Sequence, residues 1–397
     1  MSVELNPSGV ACNIGCVYCY ENPMRDAKNV NVPWDWEKVR AALDKEGAFS
    51  LHGGEPLLAP FARVKQALEY GFKRHGHTGV QTNATLITDA HIDLFKQCAT
   101  HVGISCDGPL QCSDARASGT LEETRATTLK TTENIERLMR EGIGVSLITT
   151  LWKGNCDEES FQMLCDWFLR LDKLGLRWVN LHYLEVDGAK ASKLRVDMPL
   201  LIERMKQLMS LGRQFTHLKF TNFDQYVTLL RGKSEDTVCV WHACDVLTTP
   251  AVQGINGQGE LTNCGRTNKM GVDWTKADVA GIERQHALYN TPYKYGGCKG
   301  CRFFLMCKGE CPGTGLDGDW RNRTEHCQVI MAIFEHFENV MLDLGETPGS
   351  LHPDREKWEH QFLSANRPSS AHADSPHGDS HGDHTDGRVQ AMAEVRT

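Results

Sequence analysis

The chain has 397 residues, with 43 Lys and Arg against 51 Asp and Glu, for a formal net charge of −8. That length suits one large α/β domain and a smaller companion, and the acidic balance argues against a nucleic-acid surface. No apolar run reaches the ~18–20 residues of a membrane span, and the opening "MSVELNPSGVACN" lacks the basic and apolar segments of a signal peptide. The expectation is a cytoplasmic protein with neither nucleic acid nor membrane among its partners.

In chain order, short β-like runs over 3–5, 48–52, 79–81, 101–105, 144–150 and 178–183 alternate with amphipathic stretches over 35–45, 61–74, 89–97, 121–141, 158–173 and 200–214. Strand–helix units repeated in this way predict a parallel sheet with helical crossovers. A partial (β/α)6 barrel is expected over residues 1–232, with a doubly wound sheet as the alternative. The run "RATTLKTTENIERLMRE" within 121–141 reads as a solvated helix face. From 237 onward the texture turns to Cys, Gly and polar residues, giving a second domain over 233–346 closed by a helix at 329–344. Residues 347–397 read as a polar, disordered tail, because "SSAHADSPHGDSHGDHTDG" has almost nothing to bury. Its histidines are a transition-metal alternative to plain solvation.

Sixteen cysteines dominate the composition. In a reduced compartment such cysteines serve metals or clusters more readily than disulfides. Three stand together in "CNIGCVYCY" as Cys12, Cys16 and Cys19; eight fall between 239 and 327; the remaining five are Cys98, Cys106, Cys112, Cys156 and Cys165. Thiolates at CxxxCxxC spacing converge on one inorganic centre from a single loop. With three ligands, a 4Fe–4S cluster keeps one iron open for a substrate or cofactor. The distal eight are enough for two four-coordinate centres, and spacing alone suits two zinc sites equally well. The other five read as buried small hydrophobes.

The CxxxCxxC pattern, with Tyr18 before the third cysteine, resembles the radical S-adenosylmethionine (SAM) superfamily. In that family the open iron is chelated by SAM, and one electron from the cluster releases a 5′-deoxyadenosyl radical that abstracts a substrate hydrogen. Further segments carry the resemblance. Gly53, Gly54, Glu55 and Pro56 in "LHGGEPLL" match the GGEP motif that binds the SAM amino group. Asn83 lies in "QTNATLI", similar to the TNG segment but with Ala84 in place of Gly. Ser105 in "ISCDGP" and Arg116 in "CSDAR" match SAM-contacting positions, and Cys106 shares that neighbourhood. Each segment follows a predicted strand, at the end of a parallel sheet where such folds place their sites.

The distal cysteines resemble the SPASM extension of these enzymes, which carries two auxiliary 4Fe–4S clusters. By that resemblance Cys239, Cys244, Cys264 and Cys311 hold one cluster, and Cys298, Cys301, Cys307 and Cys327 the other. Relatives with this set mature peptides or proteins. One branch makes formylglycine in sulfatases and places an Asp after the cysteine matching Cys264, where this chain has Gly265. A base must reach the proton it removes, so that departure favours the other branch, which crosslinks, epimerises or excises parts of ribosomally made peptides. "CPGTGLDGDWRNRTEHC" (311–327) is similar to that branch. The implied partners are a precursor peptide, a flavodoxin- or ferredoxin-type reductant and, because the chain opens at its first strand, a separate leader-recognition protein. A formylglycine-generating enzyme is the alternative; a non-catalytic iron–sulfur or zinc protein is the alternative of another class. The residues do not name a general acid or base.

Overall fold

The computed structural model describes residues 3–30, 33–186, 188–234, 237–246, 253–271 and 281–365. The chain divides into two compact units, residues 1–224 with 252–276, and residues 225–251 with 277–397.

The first unit is built on one sheet. Its strands are β1 (Val3–Leu5), β2 (Phe49–Leu51), β3 (Thr78–Thr82), β4 (Thr100–Ser105), β5 (Val145–Leu151), β6 (Trp178–Tyr183), β7 (Lys219–Phe220), β8 (Gln253–Ile255) and β9 (Leu261–Thr262). The order is β7-β6-β5-β4-β3-β2-β1-β8-β9, and every pairing is parallel except β8 with β9. From β1 to β7, neighbours in space are neighbours in sequence, with no reversal. Right-handed crossovers in one direction put all intervening helices on one face. A doubly wound sheet needs a switch point, so this is the expected barrel-type winding, open at β7 and β9 among the described residues. Sequence reading missed β7 and assigned the β8–β9 hairpin to the cysteine-rich domain; both strands extend the first unit's sheet.

Period-two alternation explains the strands. Val3, Leu5, Phe49, Leu51, Val80, Val102, Ile104, Val145, Leu147, Val179 and Leu181 are buried. Between them, Glu4, Ser50, Gln81, His101, Ser105, Ser146, Asn180 and His182 are only half-buried and give the sheet a polar second face. Register makes that face continuous: Glu4 pairs Ser50, Gly79 pairs His101, Gly103 pairs Ser146, and Thr150 pairs His182. Gln81 Nε2 donates to Ser105 Oγ at 3.0 Å, and His101 Nε2 lies 2.9 Å from Ser146 Oγ.

The helix Leu121–Arg140 starts at a capping box, with Thr120 accepting from the Glu123 amide and Glu123 receiving the Thr120 amide. Its buried stripe is Thr124, Thr128, Thr131, Asn134, Ile135 and Leu138. The reading of this run as a solvated face is therefore corrected on one side, where three threonines and Asn134 face inward together with Ile135 and Leu138.

The second unit holds the helices Glu283–Asn290, Cys327–Asp343 and Arg355–Ala365. Tyr226, Trp241, Phe303 and Phe334 form its aromatic core, with ring centroids 4.7–6.1 Å apart in the contacting pairs. The tail expected to be disordered from 347 is corrected over its first part. Leu363 is buried with Ala243, Ile282, Leu288, Cys298 and Phe304, and Phe362 packs beside them. "REKWEHQFLSA" carries Trp358, Phe362 and Leu363 on one helical face, which supplies the apolar stripe a short helix needs to dock. The His-rich run 369–387 lies outside the described residues. Among the described residues, no helix is long and apolar enough to cross a membrane.

Candidate functional site

The predicted site residues of the first unit come together at the C-terminal ends of β1 to β4. Gly54 N donates to Gly9 O at 3.0 Å and Glu55 N to Ala11 O at 2.8 Å, so the strand-end glycines bond the segment leading into Cys12. Gly53 has φ +111°, and a Cβ there would meet Gly9 O at 2.3 Å; a Cβ on Gly54 would meet Ala11 O at 2.3 Å and Val10 O at 2.4 Å. Only glycine admits this approach. The two glycines therefore set the entry path of the cysteine loop. Pro56 opens the short 3-10 turn Pro56–Leu58, where no amide hydrogen is required of it.

Glu55 is fully buried and its carboxylate is spoken for. It accepts from Leu57 N at 3.0 Å, Thr82 Oγ1 at 2.7 Å and Asn83 N at 2.8 Å. Burial raises its pKa against the pull of these donors. Glu55 thus ties the end of β2 to the end of β3. Asn83 Nδ2 in turn donates to Asn13 Oδ1 at 2.9 Å and lies 3.8 Å from Cys12 Sγ. Ala84 sits at φ +61°, the left-handed region a glycine would occupy without strain. Thr131 Oγ1 and Asn134 Nδ2 pin it by donating to Asn83 O at 3.0 Å and Ala84 O at 2.8 Å.

The cysteine loop pairs with the segment after β4: Gly15 N donates to Ala117 O and Val17 N to Ala115 O, at 2.7 and 2.9 Å. This brings Arg116 beside Cys16. Arg116 Nη1 donates to Tyr18 Oη at 3.3 Å, and the Tyr18 hydroxyl donates to the fully buried Asp107 carboxylate. Asp107 also accepts from Thr150 N at 3.0 Å. Burial, then the Asp107 charge, holds the Tyr18 phenol well above its ordinary range, so it remains a donor. Burial raises Asp107 too, opposed by Arg116 and the Tyr18 bond. Tyr18 packs with Ala115, Trp152, Leu184 and Ala191. Ser105 lies at the end of β4, bonded to Gln81 rather than to these groups.

Cys12, Cys16 and Cys19 lie close enough to act on one another electrostatically. Burial raises Cys12, and pushes Cys16 up to about 12 despite Arg116. Thiols held protonated in this way are poor nucleophiles, whereas a metal deprotonates a coordinating thiol outright. The donor set fits an anionic cluster: Asn83 faces Cys12, Arg116 faces Cys16, and Arg25 hydrogen-bonds the Cys19 sulfur. Arg25 also donates to Val10 O at 3.1 Å and Asn22 Oδ1 at 2.8 Å. Hydrogen bonds to cluster sulfurs tune the potential. Among the described residues, no three His, Cys, Asp or Glu side chains crowd within reach of one metal ion.

Residues 6–167 match the radical SAM superfamily. The chain is a radical SAM enzyme. It is 23% identical over 380 residues to the serine-type anaerobic sulfatase-maturating enzyme of Bacteroides thetaiotaomicron, covering 85% of this chain and 89% of that protein. It is 27% identical over 375 residues to a cysteine-type anaerobic sulfatase-maturating enzyme of Clostridium perfringens, covering 85% and 96%. In fold, the radical SAM enzyme resembles anSMEcpe with bound AdoMet and Cp18Cys peptide at TM-score 0.64 and 18% identity, covering 86% of this chain and 98% of that one. It also resembles Streptococcus suis SuiB bound to precursor peptide SuiA at TM-score 0.53 and 15% identity, covering 82% and 75%. It is of the SPASM type, and its superfamily works with SAM and a 4Fe–4S cluster; the non-catalytic alternative falls.

Several groups of this radical SAM enzyme escape sequence reading. Asp107 stands in plain view in "ISCDGP", but nothing in a string predicts its bond to Tyr18. Arg25 belongs to no motif, and the Thr stripe of Leu121–Arg140 reads as solvated. Cys106 is buried and lines a small cavity with Ile14, Asn83, Arg116 and Thr131. Past β6, Glu185 is buried and accepts from Arg266 Nε at 2.5 Å and Lys269 Nζ at 3.1 Å. Burial drives Glu185 upward, but these two cations outweigh it and hold the carboxyl down to about 2. Gly265 follows Cys264, and a Cβ there would meet Glu21 Oε1 at 2.1 Å, so a carboxylate from the cysteine loop fills the space of the absent side chain.

In the second unit, Cys298, Cys301 and Cys307 each lie close enough to Cys327 to feel its charge, and burial raises all four thiols, Cys298 to about 12. Cys239, Cys244 and Cys311 belong to the same unit, whereas Cys264 follows β9 of the first.

Proposed function

We propose that this enzyme abstracts a hydrogen atom from a ribosomally made precursor peptide and so crosslinks, epimerises or excises part of it. The cluster on Cys12, Cys16 and Cys19, with SAM, supplies the abstracting radical when bound. Glu55, Asn83 and Arg116, with Tyr18 and the Gly53–Pro56 turn, order the loops around the cofactor, and Ser105 stands at the end of β4 held by Gln81. Asp107 and Arg116 fix Tyr18, and Arg25 and Asn83 offset the charge of the sulfurs.

The observation that carries the reading is the half-buried polar face of the sheet, from Glu4 to His182, at whose strand ends those loops gather. Polar side chains along such a face can hydrogen-bond the main chain of an extended polypeptide. The relatives are named for sulfatase maturation, and the SuiB structure is titled with a precursor peptide, so both lines of likeness have polypeptides as substrates. The auxiliary clusters belong to this proposal: Cys298, Cys301, Cys307 and Cys327 for one, Cys239, Cys244, Cys264 and Cys311 for the other. The likeness to sulfatase-maturating enzymes favours formylglycine formation as the second reading; Gly265 counts against it.

The test incubates anaerobically reconstituted, reduced enzyme and SAM with two substrates. One is a short peptide encoded beside the enzyme; the other is a sulfatase peptide bearing Cys or Ser. The proposal expects 5′-deoxyadenosine and a modified precursor. A hydrazide-reactive aldehyde on the sulfatase peptide alone would install the second reading. Copurification with a flavodoxin- or ferredoxin-type reductant and a leader-recognition protein identifies the partners.

A further inference from the structure

Arg284 is 1% exposed in the second unit. Its guanidinium donates to five main-chain carbonyls: Trp320 at 2.7 Å, Glu310 at 2.7 Å, Asn322 at 2.9 Å, Gly309 at 3.1 Å and, weakly, Cys244 at 3.5 Å. Among the described residues it forms no ion pair with a carboxylate. A buried cation held by carbonyls alone is costly unless an anion lies nearby. Burial pulls its pKa down, and the nearby sulfurs of Cys311, Cys244 and Cys298, with the Glu310 carboxylate, oppose that pull.

We propose that Arg284 is a positioning residue that serves as the shared countercharge of the two auxiliary clusters and raises the reduction potential of both. The proposal rests on the auxiliary-cluster reading above. Its geometry is specific. Cys244 and Cys311 belong to one assigned ligand set and Cys298 to the other; the guanidinium is bonded to the carbonyls of Cys244 and of Glu310, the neighbour of Cys311, and Cys298 N donates to Leu288 O one turn along the helix that carries Arg284. Four thiolates outweigh the charge of a cluster core, so each site is anionic, and more so after reduction. A cation in a low-dielectric interior favours the more negative, reduced state.

The experiment compares wild type, Arg284→Gln and Arg284→Lys, all reconstituted anaerobically as full chains, by iron content and EPR-monitored redox titration. Wild type should hold about 12 irons. In Arg284→Gln both auxiliary midpoints should move to more negative potential by about 59 mV or more, a tenfold change in the one-electron constant. The N-terminal cluster should not move, and Arg284→Lys should stay near wild type. Unchanged auxiliary midpoints in Arg284→Gln, or an equal shift in Arg284→Lys, would overturn the proposal in favour of a purely structural staple. If Arg284→Gln cannot retain its clusters, retention by Arg284→Lys supports the countercharge, and loss in both overturns it. Wild type with about four irons would overturn the auxiliary-cluster reading, and this inference with it.

Discussion

Gly54→Ala is the sharpest test of how the site is built. The added methyl would sit 2.3 Å from Ala11 O, 2.4 Å from Val10 O and 2.6 Å from Ala11 C, all of them backbone atoms with no flexible end to swing aside. Relief requires the 9–11 segment to lift, which stretches the Gly54–Gly9 and Glu55–Ala11 hydrogen bonds. Overpacking of this kind costs about 1–3 kcal/mol, and each weakened hydrogen bond about 1 kcal/mol. A total of about 3–5 kcal/mol should lower the apo-protein Tm by about 6–20 °C for a domain of this size. Because the displaced segment ends at Cys12, the N-terminal cluster should be lost first. The assay is a thermal melt of the apo form, paired with iron content and 5′-deoxyadenosine release after reconstitution. A Gly54→Ala protein with the wild-type melt and full SAM cleavage would refute the claim that this contact positions the cysteine loop.

Three further outcomes are expected. Ala84→Gly relieves the left-handed strain at φ +61° and should stabilise the fold by about 0.5–1 kcal/mol, read from denaturant midpoints. Glu185→Gln should destabilise the protein at neutral pH by about 3 kcal/mol. The folded carboxyl is held near 2 against an ordinary 4.5, so its contribution is complete above the unfolded value and drains away as pH falls through the folded one. The gap between wild type and this variant should therefore close over that interval in acid unfolding curves. Replacing Cys298 and Cys301 together by Ala should leave reductive cleavage of SAM intact while abolishing the modified peptide; full turnover in that variant would show that peptide modification does not need the proposed cluster.

The gathering of the Cys12–Cys19 and Gly53–Pro56 loops at the strand ends was legible because glycine, cysteine and proline carry their reasons in their covalent structure: a missing Cβ, a thiolate, a missing amide hydrogen. The strand–helix alternation was legible for the same local reason, since Val145–Leu151 or Thr78–Thr82 shows its period within one element. What escaped depends on partners far away in sequence. Lys219–Phe220 is too short to have a period, and becomes a strand only beside Trp178 and Val179. Thr131 and Asn134 look like solvent residues until Asn83 and Ala84 present carbonyls to them. The helix Arg355–Ala365 has few apolar residues, and its docking is decided by the Leu288–Phe304 cluster that receives Leu363. Glu21 filling the space at Gly265 is a relation between residues 244 positions apart, which no local pattern encodes.

The three N-terminal sulfurs are each met by a donor or cation that the polypeptide has already anchored elsewhere: Asn83 to Asn13, Arg25 to Val10, Arg116 to Tyr18. Zinc fingers draw their folding energy from the metal itself and collapse without it. Here the scaffold is preorganised, so damage by oxygen to the inorganic part would leave an empty but intact socket. On the proposed reading such a socket would take up iron and sulfide again without refolding, so reconstitution of oxygen-damaged enzyme should need no denaturation step.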